Sequence, residues 1–363
     1  MSSTNLLCAG GLATPFHSIP ADEALAVLET HYGLTGTLQR LDTEKDDTFR
    51  LATPRGERFI AKFSNPDEDP AELSLQADLL DHLARVDPGL PVPRVVHSRD
   101  GLGFFTVTDS HGQPRMVRML TYLEGTPLDR IDPTPEERFR LGATLARLRL
   151  AMAGFSHPHE AREIAWDVQH LPKLAFLLDG VTDPDHHAML AEGMARFRQI
   201  EGKLRTCRRQ VLHNDFNRSN VVVDRSDPAF VTGVIDFGDA LRTYIVIDLS
   251  TALLAYLEPE GGPAMFDRGR DLLAGYLSVA DLTPDELEVL PHLVMARVIE
   301  APETLDHPVS GIMEAPFPVI ESDLPMSRIG RMLTRQCPAV LVRTNGELAG
   351  IITRYDVVRY LTP

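Results

Sequence analysis

Two short runs constrain this chain more than anything else in it: His213-Asn214-Asp215-Phe216-Asn217-Arg218-Ser219-Asn220, and Asp236-Phe237-Gly238-Asp239, which begins sixteen residues after Asn220. Between them, Val221 to Asp224 and Val231 to Ile235 are apolar and β-branched, broken by Arg225-Ser226-Asp227-Pro228. That pattern predicts a hairpin, and a hairpin brings Asn220 and Asp236 together at one end. The spacing H-x-D-x-x-x-x-N followed by D-F-G is what phosphoryl transfer asks of a chain. One carboxylate, Asp215, is placed to orient an attacking hydroxyl and accept its proton. An amide and a second carboxylate, Asn220 and Asp236, are placed to hold Mg2+ against the phosphate oxygens. The competing reading is a polar loop that happens to precede a hairpin. Two matched parts at a workable separation weigh against it.

These runs resemble the aminoglycoside-phosphotransferase/choline-kinase-like branch of the protein-kinase fold. Leu212 to Asn217 and Gly233 to Asp239 are most similar to the hydroxylysine-kinase group and to the kinase-like domains fused to some aminotransferases. The resemblance covers roughly residues 20 to 300 and implies an α+β, two-lobed fold. Residues 1–120 would form a small nucleotide-binding lobe with an N-terminal helix, and 121–302 a helical catalytic lobe. It also implies a kinase that moves the γ-phosphate of ATP or GTP to the hydroxyl of a small amine-bearing alcohol. Aminoglycosides and homoserine stay open as acceptors, because acceptor pockets vary most between relatives.

The resemblance assigns further residues. Lys62 stands on the third strand, in Phe59-Ile60-Ala61-Lys62-Phe63, where such folds carry a lysine for the α- and β-phosphates. A glutamate of the following helix should hold that lysine. The family pattern has an acid where this chain has Ser74, so Glu72, four residues before Gln76 on the same helical face, becomes the candidate. Backbone groups near Tyr122 and Leu123, at the hinge Thr121 to Gly125, should receive the purine edge. Asp239, with acids of the helical lobe, would pair with the substrate ammonium. Asp248 should steady the catalytic loop from behind. There is no glycine-rich loop; the polar turn Glu44 to Phe49 stands in its place.

Local patterns give the elements independently. Ala21, Leu25 and Leu28 predict a helix over 21–32 that stops at Gly33. Strands are expected at 36–41, 47–52, 58–63, 94–97, 104–108 and 115–120, with a helix at about 70–84. Thr134 to Met152 and Tyr244 to Leu257 read as helices of the second lobe.

Composition sets limits. Hydrophobic residues at 43% and charged ones at 24% describe an ordinary globular chain. A net charge of −16 argues against nucleic acid or an anionic membrane as main partner and favours cationic substrates. Cys8, Cys207 and Cys337 have no metal-ligand spacing and suit a reducing cytosol, so a cytoplasmic protein is expected. Leu6 to Gly10 is too close to the start, with no Lys or Arg before it, to be a lipoprotein signal. No eighteen-residue apolar run is present, so no membrane span is expected.

Past Glu300 the pattern changes, with Pro302, Pro308, Pro316, Pro318 and Pro325 in close succession. Val309 to Met313, Phe317 to Ile320, Ala339 to Val342 and Gly350 to Asp356 resemble a single CBS domain, a small α/β module, over 303–363. In such modules the closing threonine and aspartate hold the ribose of an adenosine ligand, which points to Thr353 and Asp356; both also fit a helix cap. These modules pair, so a lone copy suggests a homodimer through Ile329, Leu333, Val357 and Leu361. Ser74 keeps a second functional reading open: a weak or inactive nucleotide-binding regulatory protein with an adenylate-sensing module.

Overall fold

The computed structural model describes residues 16–300, apart from 44, 165 and 258–264, together with three strands beyond residue 318. The first helix, α1 (Ala21–Tyr32), follows Pro20 and ends at Gly33, whose φ of 71° no β-carbon-bearing residue adopts readily. Next come β1 (Thr37–Leu41), β2 (Asp47–Ala52) and β3 (Arg58–Phe63), then β4 (Val95–Val96), β5 (Phe104–Thr108) and β6 (Pro114–Thr121). The sheet runs β1-β2-β3-β6-β4, with β5 also on β6, and every pairing is antiparallel.

Alternation along the strands divides the sheet into two faces. Phe49, Leu51, Ala61, Phe63, Val117 and Met119 form one, buried against Ile19, Ala24 and Leu28 at and before α1. On the other, Thr48, Lys62 and Arg118 stand in register across β2, β3 and β6. Helix α2 (Pro70–Val86) meets this polar row: Arg118 donates to Oε1 of Gln76 at 2.8 Å. Asp69 caps α2 by accepting from the Ala71 amide, and Pro70 occupies the first turn, where its missing N–H costs nothing. Leu75, Leu79, Leu80 and Leu83 of α2 belong to the core of the second lobe, so this helix bridges both lobes.

The second lobe is helical: α3 (Pro135–Met152), α4 (Pro184–Leu204), α5 (Ile245–Leu254), α6 (Asp267–Leu277) and α7 (Pro284–Glu300). Thr134 and Glu137 close a capping box at the start of α3. Gly142 of α3 and Gly275 of α6 lie at the closest approach of those helices. A β-carbon on either would collide with the carbonyl of Leu272 or Phe139. Five short strands follow: β7 (Thr126–Pro127), which pairs with β9, and four that build the site, β8 (Arg209–Leu212), β9 (Val221–Val223), β10 (Val231–Val234) and β11 (Leu241–Tyr244). β8 pairs with β11 and β9 with β10, so Leu212 faces Leu241 and Val221 faces Val234. The loops 213–220 and 235–240 therefore leave neighbouring strand ends on the same side. No helix among the described residues is long and apolar enough to cross a membrane.

Two expectations change at their edges. The strand foreseen at 94–97 is only Val95–Val96. The helix foreseen from Tyr244 starts at Ile245, because β11 takes up Leu241–Tyr244; buried β-branched runs serve strand and helix alike, and periodicity does not separate them. Beyond residue 318, β12 (Val319–Glu321) runs parallel to β13 (Ala339–Thr344), which pairs antiparallel with β14 (Glu347–Thr353). Thr353 ends β14, whereas Asp356 and the foreseen pairing residues Ile329, Leu333, Val357 and Leu361 lie outside the described residues.

Candidate active site

Strand β8 delivers His213 into the interior, where it is fully buried. Its Nε2 lies 3.0 Å from the Ile235 carbonyl, and its Nδ1 accepts from the Asp215 amide at 3.3 Å. That pattern requires a neutral ring with the proton on Nε2, and burial pushes the imidazole pKa down to about 4. The ring also packs edge-on against Phe237. His213 is thus a tie between the two loops, carrying no charge. Next to it Asn214 sits at a φ of 62°, and its amide donates to Oδ1 of the buried Asp248 at 2.6 Å. Burial pushes Asp248 up to about 6, with the Asn214 amide and the Arg297 charge acting the other way. Arg297 of α7 reaches Oδ1 of Asn214 at 3.3 Å, so a distant helix also braces this turn.

The turn presents Asp215. Its Oδ1 accepts from Nδ2 of Asn217 at 2.8 Å and its Oδ2 from Nδ2 of Asn220 at 2.6 Å. Burial raises the Asp215 pKa to about 7, helped by the charges of Asp239 and Asp236 and opposed by the Asn217 amide. Asn217, which sequence reading left without a role, also accepts from the amides of Ser219 and Asn220 through Oδ1. Its one signal was its place between the two functional residues.

Because Nδ2 of Asn220 faces Asp215, its amide oxygen is left for another partner. The Ile235 amide donates to the Asn220 carbonyl at 2.9 Å, which sets Asn220 beside Asp236, as the hairpin reading required. Asp236 has a φ of 63° and accepts from the Gly238 amide at 3.1 Å. Partial burial would raise its pKa, but the Lys62 charge and the Gly238 amide hold it below the usual carboxylate range. An amide oxygen and an ionised carboxylate are hard donors that suit Mg2+, which takes few protein ligands and completes its shell from phosphates and water.

Across the cleft, Lys62 projects from the polar face of the sheet and bears on Asp236. Glu72 departs from expectation. It pairs with Arg162 at 2.9 Å and more loosely with Lys45 at 3.9 Å, and among the described residues it forms no ion pair with Lys62. The reason lies in the segment after α3, which runs along the acidic face of α2. His159 approaches Asp69 at 3.8 Å, and Nε2 of His157 lies 3.3 Å from the Ser74 hydroxyl oxygen. Arg162 comes between, bonding Glu72 and also the Gly238 carbonyl. Tyr122 likewise shows less freedom than expected, since its amide donates to the Arg58 carbonyl at 3.2 Å, leaving Leu123 as the freer hinge peptide. Asp239 accepts from Nε1 of Trp166 at 2.8 Å, a partner that the sequence did not reveal.

Residues 37–282 match the model of the phosphotransferase enzyme family APH, and residues 309–363 match that of the CBS domain. Hydroxylysine kinase of Danio rerio is 28% identical over 295 residues, covering 76% of this chain and 80% of its own length. Homoserine kinase of Azorhizobium caulinodans is 30% identical over 243 residues, covering 66% of this chain and 71% of its own length. Among solved structures, a microcompartment-associated aminopropanol kinase superposes with a TM-score of 0.62 at 23% identity, covering 81% of this chain and 92% of its own. With the loop pair 213–220 and 235–240 at its cleft, the chain belongs to the APH phosphotransferase family and is a kinase that carries a CBS domain.

Proposed function

We propose that this kinase transfers the γ-phosphoryl group of ATP or GTP to the hydroxyl of a small amine-bearing alcohol of the hydroxylysine type. The observation that carries the reading is Asp215, held by the Asn217 and Asn220 amides, with Asp236 on the same side and Lys62 bearing on Asp236 from across the cleft. Asp215 accepts the proton of the acceptor hydroxyl as its oxygen bonds to the γ-phosphorus. The bond from that phosphorus to the bridging oxygen breaks, and the nucleoside diphosphate leaves. Lys62 holds the departing phosphates, and peptide groups about Leu123 receive the base. Asn220 and Asp236 would hold Mg2+, which when bound neutralises phosphate charge. Positioning and electrostatics supply nearly all of the rate in such chemistry.

The acceptor class rests on Asp239 beside Asp215 and on relatives named for hydroxylysine and homoserine, both alcohols that carry an amine. One observation favours the second reading, a weakly active nucleotide-binding regulator: the α2 glutamate is on Arg162 and not on Lys62. In that reading Thr353 and Asp356 of the CBS domain are the candidates for an adenine-nucleotide site, beside their fit to a helix cap. The test is transfer from labelled ATP and GTP to a panel of amine-bearing alcohols, with and without Mg2+. Metal-dependent phosphorylation of one of them is expected; tight nucleotide binding with no transfer to any acceptor would leave the regulatory reading.

A further inference from the structure

Trp166 is the chain's only tryptophan, and it is 36% exposed. Its place is set by a single polar contact, the indole N–H on Oδ2 of Asp239 at 2.8 Å. A tryptophan that served packing alone would be covered, and one that was merely surface would have no reason to engage a carboxylate beside the proton acceptor. Asp239 stands in the loop that the Ile235 amide ties to Asn220, next to the loop that carries Asp215, and its charge bears on Asp215. Two cations stand near Asp239, but each is held elsewhere. Arg162 is bonded to Glu72 and the Gly238 carbonyl, and Lys45 to Glu68 at 2.8 Å. Among the described residues neither forms an ion pair with Asp239, whose Oδ1 receives no hydrogen bond from them. The corner therefore offers a carboxylate oxygen beside a part-exposed indole, two groups that each attract an organic cation.

We propose that Trp166 and Asp239 together form the acceptor's ammonium site, with Trp166 a specificity-determining residue. Its indole N–H fixes the Asp239 carboxylate, and its open face lies against the ammonium and the adjoining methylenes. This rests on the reading above that the acceptor is an amine-bearing alcohol. It goes further in naming the aromatic wall that separates such an alcohol from a neutral diol of the same size.

The lone indole makes the test direct. Tryptophan emission is followed, with excitation beyond the adenine absorption, while hydroxylysine, homoserine or 1-amino-2-propanol is titrated against 1,2-propanediol as the neutral control. A saturable change with at least one amine and none with the diol is expected, and Asp239→Asn should weaken it tenfold or more. In turnover, Trp166→Ala should raise KM for the amine by about two- to thirty-fold with kcat little changed, and Trp166→Phe should fall in between. An amine that the protein phosphorylates while the emission stays flat and Trp166→Ala keeps its KM would overturn the ammonium site and leave the kinase reading standing. A saturable emission change with no transfer to any amine would do the reverse. A flat emission with every amine and no transfer would overturn both.

Discussion

On the wall of the cleft that carries Asp215, the fixing contacts are hydrogen bonds to backbone or between short side chains, with Arg297 of α7 the one long side chain among them. Asn214 to Asp248, Asp215 to His213, Asn217 and Asn220, and Ile235 to Asn220 join the eight residues 213–220 to one buried helix and to the loop that begins at Ile235. On the wall that carries Lys62, the contacts are ion pairs between long side chains: Lys45 with Glu68 and Glu72, Arg162 with Glu72, and Arg118 with Asp46. The first kind is short-ranged and dry, and losing one partner strands a buried polar group at about 1–3 kcal/mol. The second kind shares partners, Glu72 lying between Arg162 and Lys45, and only the Lys45 end is half-exposed, where an ion pair contributes roughly 0–1 kcal/mol. Asp215, the proton acceptor of the proposed mechanism, is thus set before any ligand arrives, whereas the wall proposed for the nucleotide has shared ion pairs that could re-form around phosphate charge.

Breaking the fixed wall should have the largest effects. Asp215→Asn should lower kcat about a hundred-fold or more while nucleotide affinity stays within a few-fold, because the group touches the acceptor and not the phosphates. Single-turnover rates and calorimetry of nucleotide binding check this; near-parental turnover would remove Asp215 from the mechanism. Asp236→Ala should come next, weakening Mg2+-dependent nucleotide binding by roughly tenfold to a hundred-fold, since a charged ligand is lost. Calorimetry with metal and with chelator makes the comparison, and equal affinities in the parent protein would mean that no such metal site exists. Asp248→Ala should then cost about 1–3 kcal/mol of stability by leaving the Asn214 amide buried without an acceptor. It should also slow turnover more than it weakens nucleotide binding, a split that denaturation midpoints alone would not give.

The difference between the walls also decides what could be read from sequence. The fixed wall is local: Asp215, Asn220 and Asp236 are joined by one hairpin, so spacing and β-branched runs were enough to bring them together. Asp248 follows within the same continuous stretch. The other wall is assembled from parts far apart in sequence, and nothing in the α2 pattern announces that Arg162, ninety residues on, will take Glu72. Helical spacing placed Glu72 on the face toward the cleft, but a face does not name a partner. Trp166 and Asn217 were hidden for related reasons. One lies in an irregular segment with no period to read, and the other is a polar residue inside a motif whose neighbours drew the attention. Gly142 and Gly275 gave no sign that they let α3 and α6 touch, because close approach leaves no trace in a single sequence.

The smallest expected effect is the one that sharpens the comparison most. If Glu72 serves Arg162 throughout the reaction, Glu72→Gln and Arg162→Met should each raise the nucleotide KM by only about two- to five-fold, since the pair then acts on the nucleotide only through its neighbours. The double variant should then be no worse than the poorer single one, because both remove the same contact. If instead nucleotide binding draws Glu72 across to Lys62, Glu72→Gln should resemble Lys62→Met, with a far larger rise in KM. Arg162→Met would then be nearly silent, or even helpful, by releasing the glutamate. A double-mutant cycle on nucleotide KM, run for Glu72 with Arg162 and again for Glu72 with Lys62, separates the two. Coupling only to Arg162 would mean that Lys62 acts without a helix carboxylate, steadied from the opposite wall by Asp236.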